Sequence, residues 1–409
     1  MTRGNALPLS HIRVVDFTRT FAAPLATVWL AAYGAEVIKV ESHMQPDTTR
    51  RLGRDESGNL APSGDPRVAH FLAVNHSKLD VTLNLRKPEA AGLVKDLIRV
   101  SDVVVDSFSR GVMERFGLGF DDLRRLRPDI IGLGVSGFGR TGPMRDDVAY
   151  GAMATGFSGM DSLTGYEGGQ PQTTAGAMDA LTGIGAYCAM LMALHHRART
   201  GEGQFIDLAM TEVQMSLVPE ALVDFGLNGR VREPMGNRDD VLAPHNCYPC
   251  RGEDVWLTIS VTSEEEWQAL CVVMGRPDLA RDPAYADGYG RWLAREALDD
   301  AVRAWTRTQS RDEAVTRLQG AGVPAAPSYS VQDIAADLHL KERGAFAEVT
   351  SKGIGTATAL RLPGLVDGSP QGHYLPAPGL GEHNRLVCGE ILGLPPAEVE
   401  RLQRERVIY

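Results

Sequence analysis

The sequence predicts a doubly wound, Rossmann-like α/β domain joined to a smaller α+β domain. Apolar strands alternate with helical segments as far as Ala209, and helix-length connections separate successive strands, which requires parallel pairing. A stretch rich in Gly, Pro, Asn and Arg, Gly229 to Pro249, then sets off a region with its own capping signals.

Ile12-Arg-Val-Val-Asp-Phe17 reads as a buried strand, and Pro24 opens an apolar helix that stops at Gly34. Glu36-Val-Ile-Lys-Val-Glu41 completes a βαβ unit, whose right-handed crossover makes the two strands parallel neighbours. The pattern continues with a strand near Asp80–Leu85, a helix opened by Pro88, and a strand at Val103–Val105. A helix near Asp121–Leu126 and a strand at Ile130–Val135 follow. Beyond Asp179 a long apolar helix is expected to about Arg199, then a turn at Gly201-Glu-Gly203 and a strand at Phe205–Ala209.

In the smaller region Val255–Val261 is a predicted strand. Ser263-x-x-Glu266 and Ser310-x-x-Glu313 have the spacing of capping boxes. Pro327, Pro363, Pro370, Pro376 and Pro378 punctuate a segment that ends in a short helix near Pro396–Glu405 and is expected to return to the first domain. The predicted division is 1–225 for the large domain, 226–326 for the small one and 327–409 for the return segment.

With 409 residues, 43% of them hydrophobic, the chain can bury a sizeable core. Its net charge of −10 argues against a nucleic-acid or anionic-membrane partner, because such partners need a basic footprint. No apolar run of membrane-spanning length is expected, and Met1-Thr-Arg-Gly-Asn-Ala-Leu-Pro lacks the apolar stretch of a signal peptide. The cytoplasm is therefore the expected address. Five scattered cysteines fit reduced thiols better than a disulfide framework. Cys247-x-x-Cys250 has His245 nearby but no second ligand pair at zinc spacing, so no metal is expected.

Gly132-x-Gly134-x-x-Gly137 matches the dinucleotide fingerprint in letters, but Phe138-Gly-Arg-Thr-Gly-Pro143 follows it where a helix should begin. Gly134-Val-Ser136-Gly137 and Gly156-Phe-Ser158-Gly159 lack the spacing of a nucleophile elbow. Asp179, just ahead of the apolar helix from Leu181, has two readings. It caps free backbone N–H groups, or it is a carboxylate that the helix end keeps ionised for nucleophilic attack. His195 and His196, beside Arg197 and Arg199, suit the opposite dipole end of that helix better than catalysis.

Several ordered segments carry a resemblance. They are Val15-Asp-Phe-Thr-Arg-Thr-Phe-Ala-Ala-Pro24, Leu30-Ala-Ala-Tyr-Gly-Ala-Glu-Val-Ile-Lys-Val-Glu41 and Asn75-His-Ser-Lys78. Ser107-Phe-Ser-Arg-Gly-Val-Met-Glu-Arg-Phe-Gly117 and Ser136-Gly-Phe-Gly-Arg-Thr-Gly-Pro143 follow them. Ala177-Met-Asp-Ala-Leu-Thr-Gly183, Thr200-Gly-Glu-Gly-Gln204 and Leu380-Gly-Glu-His383 complete the set. The whole chain resembles the class III CoA-transferases, a family that also includes α-methylacyl-CoA racemases.

The resemblance implies that Asp179 is the nucleophile and that CoA thioesters are substrates, with no permanently bound cofactor. The partners it implies are an acyl-CoA and a small carboxylic acid, in an interlinked homodimer. It places Phe21, Ala22, Ser42, Leu83, Phe108 and Arg115 beside CoA, with Arg115 as the phosphate partner. Some transferases carry glutamine at the position of Phe21 and arginine at that of Ser42, and many members have Tyr-Asp where this chain has Tyr150-Gly151. The racemase branch uses a Gly-His-Asp segment whose histidine moves protons. The matching Ala149-Tyr150-Gly151 has none, so CoA transfer is expected, with racemisation or non-catalytic CoA binding as alternatives. Gly236 to Cys250 resembles members that act on succinyl-CoA and aromatic or branched dicarboxylates.

Overall fold

The structure, a computed structural model, describes residues 7–51, 69–351 and 355–409. The first half of the chain alternates strand and helix. It runs β1 (Arg13–Phe17), α1 (Ala22–Ala32), β2 (Glu36–Glu41), α2 (Ala69–Asn75), β3 (Leu79–Thr82), α3 (Pro88–Arg99), β4 (Val103–Asp106), α4 (Val112–Arg115), α5 (Phe120–Leu126) and β5 (Ile131–Ser136). Then come α6 (Gly151–Phe157), α7 (Met160–Leu163), α8 (Ala175–Thr200), β6 (Phe205–Ala209), α9 (Met210–Met215) and α10 (Pro219–Asn228).

The six strands form one parallel sheet in the order β3-β2-β1-β4-β5-β6. The order reverses between β1 and β4, which opens a crevice beyond their carboxyl ends. Both faces are covered, so the strands are apolar on both sides. Val14, Val37, Val105 and Leu133 pack with Ala26 and Leu30 of α1 and with Ala186 and Met190 of α8. Val15, Ile38, Val81 and Val104 pack with α3, α5 and the final helix Pro396–Arg404.

Helix α8 corrects the expectation that no apolar run has spanning length, since Gly176–Thr200 is long and apolar enough to cross a membrane. Its buried face, Ala186, Met190, Ala193 and Leu194, belongs to the core over the sheet. It ends where Gly201 turns to φ +76°, a conformation that glycine adopts without strain. The outer strand β3 is closed by the C-terminal segment: Asp80 N–H donates to His383 Nδ1 at 3.1 Å, Thr82 N–H donates to Asn384 Oδ1 at 2.9 Å, and Leu83 bridges to Ile408.

Ser162–Gln172 and Val231–Leu338 form a second compact unit, while the other described residues group with the large sheet. The second unit is built on an antiparallel sheet, β7 (His245–Pro249), β8 (Trp256–Ser260) and β9 (Ala325–Ser328). Tyr248, Leu257 and Ile259 pack there against Trp267, Leu270 and Leu298. Ser263 and Glu266 form the predicted capping box of α11 (Glu264–Met274). Ser310 makes no cap bond, because its spacing does not fix its rotamer, and a box is found instead at Ser330 and Asp333.

Beneath the switch point lies a buried network of charges. The Lys39 ammonium, fully buried on β2, donates to the Thr18 carbonyl at 2.7 Å and pairs with Asp47 at 2.9 Å. Lys78 pairs with Asp16 at 3.0 Å, and Arg50 pairs with Glu41 at 2.7 Å and Asp80 at 3.2 Å. Burial opposes ionisation of Asp47, yet Lys39 outweighs it and holds the carboxyl at about 2. Burial also opposes the charge on Lys39, but Asp47, Asp16 and Glu41 raise its pKa above the ordinary lysine value. Asp80 goes the other way. Burial and the neighbouring Glu41 push it well above the usual carboxylate range, against the pull of Arg50.

Lys39→Met leaves Asp47 buried without its counter-charge and is expected to cost about 3–5 kcal/mol of stability. The shift of the urea midpoint at constant slope measures it, and a loss below about 1 kcal/mol would show that the network does not support the fold.

Candidate active site

The carboxyl ends of β1 to β4 surround a cavity of about 390 Å³, lined among others by Arg19, Ser42, Leu83, Arg86, Phe108 and Arg115. Four predicted CoA neighbours therefore converge although they are far apart in the chain. Ser42 follows β2, Leu83 follows β3, Phe108 follows β4 with its N–H donating to Asp106 Oδ1 at 3.0 Å, and Arg115 ends α4. Phe21 and Ala22 do not line this cavity. They start α1 against α8, where a Cβ on Gly183 would stand 2.6 Å from the Ala22 carbonyl oxygen.

Sequence reasoning missed Arg19 and Arg86, which line the same cavity. Arg19 is held by its N–H to Ser107 Oγ at 2.9 Å and by its guanidinium to the Pro46 carbonyl at 2.8 Å. Its Nε is buried and has no hydrogen-bond partner among the described residues. Both arginines lie a few positions past a strand end in a doubly wound pattern, where ligands bind, and that signal was available. With Arg115 they give an apolar, aromatic-walled cleft three guanidinium groups, which suits an anionic ligand with an apolar body.

Asp179 is placed differently from its sequence reading. Helix α8 begins at Ala175 after Thr174, so Asp179 lies in the second turn and does not cap the helix. The reading that the helix end keeps it ionised is also corrected, because the dipole's influence fades beyond the first turn. Burial pushes its carboxyl up to about 6. Oδ1 is buried without a hydrogen-bond partner among the described residues, and Gly151, the first of α6, stands close against the carboxylate.

The three glycines of Gly132-x-Gly134-x-x-Gly137 serve packing. A Cβ on Gly132 would stand 3.0 Å from the rings of Phe120 and Phe205, one on Gly134 2.4 Å from the Arg140 guanidinium, and one on Gly137 2.5 Å from Ala149 Cβ. No helix starts there, and the next begins at Gly151. Cys247 and Cys250 are free thiols that burial raises above their ordinary range.

The sequence profile described as CoA-transferase family III matches residues 9–384. The chain belongs to this family. It is 32% identical over 403 residues to succinyl-CoA–D-citramalate CoA-transferase of Chloroflexus aurantiacus, covering 98% of each chain. Over 385 residues it is 32% identical to succinate–glutarate CoA-transferase of Agrobacterium fabrum, covering 94% of this chain and 96% of that one. The crystal structure of a CAIB/BAIF family protein from Brucella suis matches with a TM-score of 0.84 at 30% identity, over 95% of this chain and all of that one. The protein is a class III CoA-transferase, and CoA thioesters are its substrates.

The transferase holds Asp179 at an energetic cost. The carboxyl is protonated in both the folded and unfolded states well below pH 4. The unfolded chain ionises it near the ordinary value of about 4 and the folded chain only at about 6, so stability falls across that interval and stays lower above it. Asp179→Asn is expected to raise the melting temperature at pH 8 and to leave it nearly unchanged at pH 3.5. Equal gains at both would assign the effect to amide packing.

Proposed function

We propose that this class III CoA-transferase moves CoA between two carboxylic acids through covalent intermediates on Asp179. The observation that carries the reading is the Asp179 carboxylate, half-buried on a rigid helix with Oδ1 unpartnered. A poorly solvated carboxylate is a better nucleophile than a hydrated one once ionised, and a pKa of about 6 leaves it mostly ionised near neutrality.

In the proposed reaction Asp179 attacks the donor thioester carbonyl, the C–S bond breaks, and an aspartyl–acyl anhydride forms with release of CoA thiolate. The thiolate attacks the aspartyl carbonyl of the anhydride, the donor acid leaves as carboxylate, and Asp179 carries CoA as a thioester. The acceptor carboxylate attacks that thioester, forming a second anhydride and freeing the thiolate again. Attack of the thiolate on the acceptor acyl carbonyl gives the new acyl-CoA and restores the Asp179 carboxylate. Arg19, Arg86 and Arg115 are the proposed partners of the CoA phosphates, and Ser42, Leu83 and Phe108 line the same cleft. Phe21 and Ala22, which follow Arg19 and open α1 against Gly183 of α8, are the proposed neighbours of the thioester end.

The names of the relatives, with succinyl-CoA or succinate and a second dicarboxylic acid, favour succinyl-CoA as donor and a small dicarboxylate as acceptor. Racemisation is disfavoured because the residue against the Asp179 carboxylate is glycine, which has no proton to offer from a side chain.

The working form is proposed to be an interlinked homodimer in the cytoplasm. Helix α10 has no buried residue and exposes Leu222, Val223, Phe225 and Leu227, while α8 exposes Met192. Sedimentation velocity is expected to give a dimer at micromolar protein, and a monomer alone would remove that part of the proposal.

Incubation with succinyl-CoA and no acceptor is expected to add the mass of CoA less one water, mapped to Asp179. The labelling rate should rise with pH through about 6, and Asp179→Ala should carry no label. Arg115→Ala should need roughly ten-fold more donor for half-maximal labelling, the effect of losing one charge-assisted contact. An unlabelled wild-type protein that exchanges the α-proton of a 2-methylacyl-CoA would favour racemisation instead.

A further inference from the structure

We propose that Arg140 is a positioning residue for the donor cleft: its buried guanidinium, acting through Asp106, holds Phe108 in the cleft wall and so sets how tightly CoA binds. The inference rests on the reading of the cleft at the carboxyl ends of β1 to β4 as the donor site and names what fixes one of its walls.

Arg140 belongs to the loop that follows β5, and its side chain is only 10% exposed. The guanidinium pairs with Asp106, the last residue of β4, and reaches the Phe108 carbonyl at 3.4 Å. The same carboxylate oxygen, Asp106 Oδ1, accepts the Phe108 N–H at 3.0 Å. Both backbone polar groups of Phe108 are thus tied to one ion pair, and bonds to charged groups are the stronger ones. Ser107, between Asp106 and Phe108, accepts the Arg19 N–H at 2.9 Å, so the same clamp bears on a second residue of the cleft.

The sheet is shaped to carry this guanidinium. Asp106, Gly134 and Asp207 stand in one row across β4, β5 and β6. Both oxygens of Asp207 accept the Arg140 N–H at 2.9 Å, and from there the side chain crosses Gly134 to Asp106. It can cross because Gly134 has no side chain, since a Cβ there would stand 2.4 Å from Arg140 Cζ. Arg140 does not line the donor cleft and faces a separate cavity of about 260 Å³, so its influence on a ligand in the cleft passes through Phe108. The pair adds little net stability, because burial holds the Asp106 carboxyl above its ordinary range in spite of Arg140. What two buried charges supply under those terms is geometry.

The test uses two readouts for Arg140→Met, Phe108→Ala and the two combined. Titration calorimetry with CoA reads the affinity, and single-turnover labelling at saturating succinyl-CoA reads the chemical step. Arg140→Met is expected to weaken CoA binding about five-fold or more and to leave the saturated labelling rate within about two-fold of wild type. In the Phe108→Ala background the same substitution is expected to weaken binding by less than about two-fold, because the wall it would release is gone. An equal loss of affinity in both backgrounds, or a slower saturated rate with unchanged affinity, overturns the proposal.

Arg140→Met leaves the buried Asp106 without its counter-charge, so early melting is answered by combining it with Asp106→Asn, which removes both charges. This double variant is expected to melt close to wild type and to bind CoA at least about three-fold more weakly. Wild-type affinity in the folded double variant overturns the proposal. Wild-type affinity in Phe108→Ala alone would show instead that CoA does not use this wall, and the proposal would fall with the reading of the cleft.

Discussion

The ion pair between Lys39 and Asp47 underlies the geometry of the whole cleft. Three consecutive residues after β1 are held by polar contacts from below or beside. The Thr18 carbonyl accepts from Lys39, the Arg19 N–H donates to Ser107, and the Thr20 N–H donates to Asp47 at 3.1 Å. Thr20 needs that hold, because its φ of +75° is a left-handed conformation that a β-branched residue adopts at a cost. Asp47 is in turn fixed by its N–H donating to Glu41 Oε2 at 2.6 Å, and Glu41 by Arg50. Buried charges are poor sources of net stability, since desolvation offsets most of their attraction, but they are demanding about geometry. Here they fix a loop whose far side is the wall of the cavity.

Asp179 lives under the opposite regime. The buried acids of the network that ionise are each matched by a lysine or arginine, whereas Asp179 has burial as the sole cause of its shift. The two arrangements divide the labour. Paired charges hold the binding surface still, and an unpaired one keeps the free energy that a nucleophile spends on bond formation. Setting it in the second turn of a 26-residue helix restricts its motion to side-chain rotation.

Most of the scaffold was legible from periodicity, and the crossover rule gave the parallel pairing of β1 and β2, whereas the reversal of order between β1 and β4 came only with the structure. Boundaries moved by two or three residues: α1 starts at Ala22, ahead of Pro24, and β3 ends at Thr82, short of Leu85. The larger misreading was at α8. Thr174 to Met178 lack a conventional capping pattern, so the helix seemed to begin after Asp179, and a residue of the second turn was taken for its cap. The charge network was hidden for a different reason. Lys39, in β2, and Lys78, just before β3, sit in segments that resemble the family, yet a lysine in or beside a strand normally signals an exposed face. Only three-dimensional pairing shows that these two are fully or almost fully buried. The glycines at 132, 134 and 137 make the converse point. Their spacing suggested a ligand, and their neighbours show that aromatic and guanidinium side chains occupy the space.

Scaffold and specificity are separable in this arrangement. Phe21 and Ser42, two of the three positions that depart from common family residues, belong neither to the charge network nor to the sheet core. Ser42 lines the cavity directly after Glu41, which is locked to Arg50, so a different residue at 42 changes the ligand contact and leaves its support in place. Phe21 ends a loop already fixed at residues 18 to 20, so its ring can be exchanged without releasing the loop. Gly151, the third position that departs, stands against the Asp179 carboxylate itself. A family that varies its acids under these constraints has room to change the residues around the thioester, the nucleophile and the cleft, while the loop beneath stays as it is.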